Sequence, residues 1–221
     1  MDDDHIISLI QSQADESRNI EYKTGLEWKN RHSQIGWLQA KVIKAVLGLT
    51  NNRNGGVIIL GVNDDGAGNR EYVGLTEEQL ATFRNVEAMQ DCIGSYADLP
   101  IVFSVKQISV GEGEDVKTFI AININEFAES PVLAKKDLAV TKPNGREEYV
   151  IREGDLYVRS QSGRFGTVKA SRVEFDEVVR LAHEKSEQRI RELFGDLTTR
   201  SEATTDTDEN ATPYDTLDAD L

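Results

Sequence analysis

Three acids and a lysine carry the first chemistry this sequence suggests. Glu16 precedes Glu21 by five residues, Lys23 follows Glu21 by two, and Asp64 closes an apolar run further down the chain. Hard divalent cations such as Mg²⁺ or Mn²⁺ are held by a few carboxylates and keep open positions for phosphate oxygens and water. Three converging acids would therefore meet the electrostatic requirement of phosphodiester hydrolysis. If the segment around Glu21 and the run before Asp64 are neighbouring strands, Glu21 and the Asp64 turn come within reach of one ion, with Glu16 entering from the preceding loop. Asp65 is the alternative third ligand. Lys23, on the same strand face as Glu21, would orient the attacking water or stabilise the developing charge, the logic of the Glu-x-Lys element of many nucleases. The plain alternative is a solvated same-face pair among the 39 acids of the chain.

The elements that must position these groups are readable. Val57, Ile58, Ile59, Leu60 and Val62 form an apolar run without alternation, so it is expected to be a central strand covered on both faces. Asn54-Gly55-Gly56 before it tolerates positive φ, and Asn63-Asp64-Asp65-Gly66 after it supplies turn chemistry. Ile6, Leu9 and Ile10 predict a short helix within residues 1–13. Asn19 to Lys23 alternates as a strand, with Ile20 and Tyr22 facing the core. Residues 33–50 predict the clearest helix, with Ile35, Leu38, Val42, Val46 and Leu49 in one stripe and Lys41 and Lys44 off it. A hairpin strand is expected over 70–73 and one helix over 77–96, opened by a capping box at Thr76 and Gln79. Strands over 101–110 and 116–124 read as a hairpin, further strand pieces over 148–151 and 156–159, and a last helix over 171–194 whose apolar positions are Val173, Val178, Leu181, Ile190 and Leu193.

Length, 221 residues, suits one well-cored domain. The expected organisation is an N-terminal helix over 1–13, a single α+β domain with a mixed sheet flanked by helices over 14–195, and a disordered acidic tail over 196–221. That tail holds eight acids against one base, whereas residues 131–172 hold nine bases against five acids, so a basic face is compatible with the net charge of −14. No apolar run approaches the roughly 20 residues needed to span a bilayer, and the N-terminus is acidic where a signal peptide is basic; no membrane association and a cytoplasmic location are expected. The single cysteine, Cys92, excludes an internal disulfide and a multi-cysteine zinc site, and its helical context suits a buried apolar side chain.

The order Glu16-Ser17-x-x-Ile20-Glu21-Tyr22-Lys23, then a helix, Thr50-Asn51, Asn54-Gly55-Gly56-Val57 and Gly61-Val62-Asn63-Asp64-Asp65-Gly66 resembles the Schlafen AlbA-type domain. Ser130-Pro131 and Gly154-Asp155-Leu156-Tyr157-Val158-Arg159-Ser160-Gln161-Ser162-Gly163 resemble that family's C-terminal half, so the resemblance covers about residues 14–185. It implies an α/β nucleic-acid-binding domain acting on RNA or DNA. In the RNA-cleaving members it implies a metal-dependent endoribonuclease acting on structured RNA such as tRNA. The family's acidic triad falls on Glu16, Glu21 and Asp64, with Asp65 as the alternative, and Mg²⁺ or Mn²⁺ is the expected ion. Asn51-Asn52-Arg53-Asn54 is longer than the usual turn of the family, and the zinc ligands of some animal members have no counterpart. No Gly-x-x-x-x-Gly-Lys loop is present, so no ATP chemistry is expected. The RNA-cleaving members pair two lobes; a single-lobe chain is expected to form a homodimer to build the groove, with a partner protein as a further candidate. The rival expectation is a non-catalytic nucleic-acid-binding regulatory module.

Phosphate contacts are expected from Lys135, Lys136, Arg152, Arg159, Arg164 and Lys169, the alternative being solvated strand-face charges. Trp28 and Trp37 read as core residues ahead of base-stacking platforms. His5, His32 and His183 are well separated and suggest no general base. The acidic tail reads as a solubilising end, or as a nucleic-acid mimic occupying the basic face.

Overall fold

Four consecutive apolar residues, Val57 to Leu60, explain the centre of the molecule. The computed structural model describes residues 3–64, 69–160 and 166–205. In it β2 (Gly56–Leu60) lies between β1 (Ile20–Lys23) and β6 (Lys117–Ile124), with β5 (Phe103–Val110) beyond β6. Ile58 and Leu60 point into one core and Val57 and Ile59 into a second on the opposite face, so β2 is buried on both sides as expected. Each such side chain contributes about 1.5–3 kcal/mol on burial, which anchors this strand firmly between the two cores. β1 runs parallel to β2, while β6 and β5 are antiparallel, giving a mixed sheet.

The parallel pair requires a crossover, supplied by α2 (Trp37–Thr50). From Ala45 to Thr50 this helix is buried at every position, because the sheet covers one side and short strands of the C-terminal half cover the other. Those strands are β7 (Leu138–Thr141) with β8 (Glu147–Ile151), and β9 (Tyr157–Arg159) with β10 (Thr167–Lys169). At Gly48 an added Cβ would lie 2.5 Å from Thr167 Cγ2, which is how closely β10 approaches. The expected stripe is corrected at two positions: Leu38 is 40% exposed, and Ile35 precedes the helix. The second face of the sheet is covered by α1 (Asp3–Gln11), whose Ile6, Leu9 and Ile10 pack with Tyr22, Tyr72 and Phe119.

Between β2 and the next hairpin the chain must turn sharply, and Gly61 does this with φ +107°. A Cβ there would meet Leu75 and the Gly74 backbone at 2.9–3.0 Å. β3 (Val62–Asp64) then pairs with β4 (Arg70–Tyr72). The helix expected over 77–96 is two helices, α3 (Glu77–Thr82) and α4 (Val86–Gly94). Thr76 and Gln79 form the expected capping box, but Asn85 caps a new helix by accepting from Ala88 N at 3.0 Å, which ends the first. Asn51, at the end of α2, is a buried tie. Its amide donates to the carbonyls of Leu47, Val132 and Tyr157 and accepts from Val132 N, all at 2.8–3.2 Å, so one side chain joins α2 to two segments of the C-terminal half.

The chain divides into a compact unit ending at Ala182 and a second beginning at His183. In the first, α5 (Arg172–Thr205) starts with Val178 and Leu181 buried, and Glu177 binds Arg18 through two hydrogen bonds of 2.9 and 3.0 Å. In the second the helix carries i,i+4 contacts from His183 and Arg191 to Glu187. Val173, Ile190 and Leu193, expected as apolar contact positions, are exposed. The helix also runs through residues 196–205, the first ten positions of the segment expected to be a disordered tail; the rest of that segment lies outside the described residues. Among the described residues no helix is long and apolar enough to cross a membrane.

Candidate nucleic-acid interface

β1 is an edge strand, and its open side governs what the acids do. Val57 N donates to Asn19 O and Gly61 N to Lys23 O, so these residues face β2 and the polar groups of Ile20 and Tyr22 face away. Exposed edge groups need partners or protection. Glu16 accepts from Tyr22 N at 3.1 Å, Arg159 Nη2 donates to the carbonyls of Ser17 and Ile20 at 3.0 and 3.2 Å, and Lys23 Nζ donates to Tyr22 O at 3.2 Å. Glu16 and Lys23, expected in catalysis, and Arg159, expected as a phosphate contact, thus close the edge of β1.

The charges are matched as well as the hydrogen bonds. Glu21, buried, takes ion pairs from both Arg159 and Lys23. Asp64 lies 3.6 Å from Arg70, whose guanidinium also reaches Asp15 at 3.1 Å and stands 5.3 Å from the centre of the Tyr22 ring. Burial pulls Lys23 below its ordinary value, and the Glu16 and Asp64 carboxylates pull it back, so both acids lie in the field of this lysine. Burial likewise lowers Arg159 to about 10, opposed by Glu16; at neutral pH it stays charged. Glu16, Glu21 and Asp64 are thus offset by Lys23, Arg70 and Arg159.

A divalent ion needs several carboxylate oxygens turned toward a common point. Here the oxygens are turned toward backbone N–H and cations, and among the described residues no group of three or more His, Cys, Asp or Glu side chains is placed to hold a metal ion. The donor set in this arrangement does not fit one. Asp65 lies outside the described residues.

Arg159 requires a correction. Expected as a phosphate contact, it has no exposed surface and is the internal counter-ion of Glu21. Lys135 and Arg152 are exposed, the latter 4.3 Å from the centre of the Tyr149 ring. Lys169 pairs with Asp155 at 2.6 Å and remains 68% exposed. Lys136 lies beside His32. Arg164 is outside the described residues.

The structure adds cations that sequence reading passed over. On α2, Lys41 Nζ lies 4.3 Å from the centre of the Trp37 ring, and Lys142, just past β7, lies 5.0 Å from the same ring. Lys44 stands 4.9 Å from the Tyr157 ring. Glu148 is the acid among them, paired with Lys142 and 4.0 Å from Lys41. Burial, then Lys142 and Lys23, lower the pKa of Lys41; burial, then Lys41, lower that of Lys44, with Asp155 opposing. Lys41, Lys44 and Lys142 thus gather on one side of α2, with Trp37 half-buried beneath Lys41 and Lys142, while Lys23 at the neighbouring edge is paired with Glu21. The available signal was Lys41 and Lys44 lying off the apolar stripe of the helix. Trp28 is in the core as expected, and Cys92 is buried, its thiol pushed up by burial.

No curated protein matches this sequence. Solved structures that are similar in part include the following two. The DIP2311 protein from Corynebacterium diphtheriae is 18% identical with a TM-score of 0.43, over 79% of this chain and 27% of that one. The N-terminal domain of a RecG-related protein from Nitrosomonas europaea is 19% identical with a TM-score of 0.40, over 77% of this chain and 92% of that one. This chain therefore spans about a quarter of the first of these proteins. Residues 16–163, from Glu16 through the segment that carries Arg159, match the family described as "Schlafen, AlbA_2". That match takes in two thirds of the sequence, and the chain belongs to the Schlafen AlbA_2 family.

Proposed function

We propose that the protein is a nucleic-acid-binding module whose contact surface is the lysine strip along α2 and the β7–β8 turn. The observation that supports this best is Trp37, held beneath Lys41 and Lys142, with Lys44 further along the same helix. Lysines neutralise phosphates and release condensed counter-ions. An indole freed by lysines that swing onto phosphates offers a stacking face for an unpaired base, worth about 1–3 kcal/mol. The family supplies the coarser expectation of a nucleic-acid-related role. RNA and DNA are both candidates, and the stacking face favours an unpaired strand or loop of either.

Anisotropy of a labelled single strand against salt concentration tests the proposal. Each phosphate-contacting lysine adds about 0.7 to the slope of log K against log salt for a single strand, so Lys41→Gln should lower the slope by about that amount. Trp37→Ala should weaken binding by roughly 5- to 150-fold. Binding that is insensitive to salt, or unchanged in both variants, would sink the proposal.

Metal-dependent cleavage of structured RNA such as tRNA is the second reading, resting on the family resemblance that puts the acidic triad on Glu16, Glu21 and Asp64. It requires Glu21 to exchange Arg159 and Lys23 for an ion. Discrete fragments from a tRNA pool with Mn²⁺, abolished by EDTA and by Asp64→Asn, would establish it. Intact tRNA under all conditions, with salt-dependent binding retained, leaves the binding module.

A further inference from the structure

His32, Tyr96 and Lys136 meet at a corner the lysine strip does not use. His32 opens the 3-10 turn before α2, Tyr96 follows α4, and Lys136 precedes β7. The Tyr96 side chain is buried, and its hydroxyl lies 3.0 Å from His32 Nδ1. The two rings meet edge to face with centroids 5.3 Å apart. Lys136 Nζ lies 3.3 Å from His32 Nε2 and 4.4 Å from the centre of the Tyr96 ring.

The donor and acceptor roles follow from the chemistry. An ammonium only donates, so Nε2 is the bare acceptor and the neutral ring carries its proton on Nδ1, directed at the Tyr96 oxygen. Lys136 and Tyr96 face the imidazole directly; Cys92 stands in the field of both, Lys135 and Asp137 flank Lys136 with Asp137 accepting from Glu153 N, and Arg31 precedes His32 in the chain. Among the described residues no carboxylate is bonded to or acts on His32 or Lys136. Burial, and then Lys136, hold His32 below its ordinary value. A neutral imidazole and an ammonium at 3.3 Å, with no carboxylate bonded to either among the described residues, leave positive potential that an anion would relieve.

We propose that His32 and Lys136 form a proton-linked site for a phosphate group, its ligand a phosphodiester of the bound nucleic acid. The inference rests on the binding function proposed above. A phosphate between the two groups draws the Lys136 ammonium off Nε2, and Nε2 takes up a proton from solvent and becomes a second donor. The buried Tyr96 hydroxyl, still engaged with Nδ1, keeps the ring oriented. Binding therefore takes up one proton. By linkage, affinity rises as pH falls through the interval between the free and bound pKa values of His32, by at most about tenfold per pH unit.

The test uses the full chain with two probes, inorganic phosphate and a single-stranded RNA oligonucleotide, at constant ionic strength. NMR follows the His32 ring, and anisotropy measures RNA affinity at pH 7.5 and 6.0. The RNA should raise the pKa of His32 by about one unit or more, and affinity should improve at least about threefold between the two pH values. His32→Gln should abolish that gain, and Lys136→Gln should weaken binding while raising the pKa of His32 in the free protein. A His32 pKa indifferent to both probes, or a pH gain that survives in His32→Gln, overturns the inference. RNA binding through the lysine strip with no pH dependence overturns this site alone. A His32 shift with inorganic phosphate in a protein that binds no RNA overturns the nucleic-acid ligand and the binding function together.

Discussion

Replacing Arg159 with methionine removes the only fully buried guanidinium among the described residues and leaves the Glu21 carboxylate with Lys23 alone. The substitution keeps an apolar stem of similar length, so packing loss is small and the effect is electrostatic. Removing one partner of a buried pair costs about 3–5 kcal/mol, because the other charge stays desolvated. The Ser17 and Ile20 carbonyls on the β1 edge each lose one of two donors and keep their mutual backbone bonds. Against a total stability of about 5–15 kcal/mol, this is a large fraction. At about 2–4 °C per kcal/mol for a protein of this size, the melting temperature should fall by roughly 6–20 °C. Thermal and urea unfolding followed by circular dichroism measure it. The double variant Glu21→Gln with Arg159→Met separates the cause: with no buried carboxylate to orphan, it should recover a substantial part of the loss. A single variant within about 2 °C of the parent, or a double variant no better than the single, would refute the assignment of Arg159 as the counter-ion of Glu21.

Asn51→Ala should cost about 2–4 kcal/mol in urea unfolding, because one amide serves three carbonyls and one N–H that remain buried without it. Gly55→Ala places a Cβ 2.1 Å from Ile124 O at φ +61°; a loss of more than about 2 kcal/mol is expected, with no change in nucleic-acid contacts. Burial lifts the Tyr96 phenol to about 12, so the folded protein keeps a proton that the unfolded chain releases near 10. Stability should therefore fall as pH rises between about 10 and about 12, and Tyr96→Phe should flatten that slope in alkaline denaturation.

Much of the scaffold followed from local pattern. β2 announced itself because an apolar run without alternation has no solvent face to offer, and the Asn54-Gly55 turn because those residues accept the positive φ found there. The capping box at Thr76 and the β5–β6 hairpin were likewise written within a few residues of themselves. The break between α3 and α4 was less legible, since an apolar pattern can run on past a capping residue such as Asn85. β7 and β10 are short and exist chiefly by covering α2, which local propensity does not encode.

The acids show where sequence alone stops. Strand alternation put Glu21 and Lys23 on one face, and the parallel β1–β2 pairing, which the sequence left conditional, brought Glu16 and Asp64 into the field of Lys23. What those groups do there was decided by Arg159, a residue far along the chain whose sequence context reads as a surface charge. Only folding over α2 carried its strand to the edge of β1, where desolvation turned it from a candidate phosphate contact into a counter-ion. The same folding set Lys142 beside Lys41 over Trp37, and Lys136 beside His32. Hydrophobic periodicity is a local property that a sequence displays directly. The pairing of charges depends on distance and dielectric between segments remote in sequence, and those arise only in the packed chain.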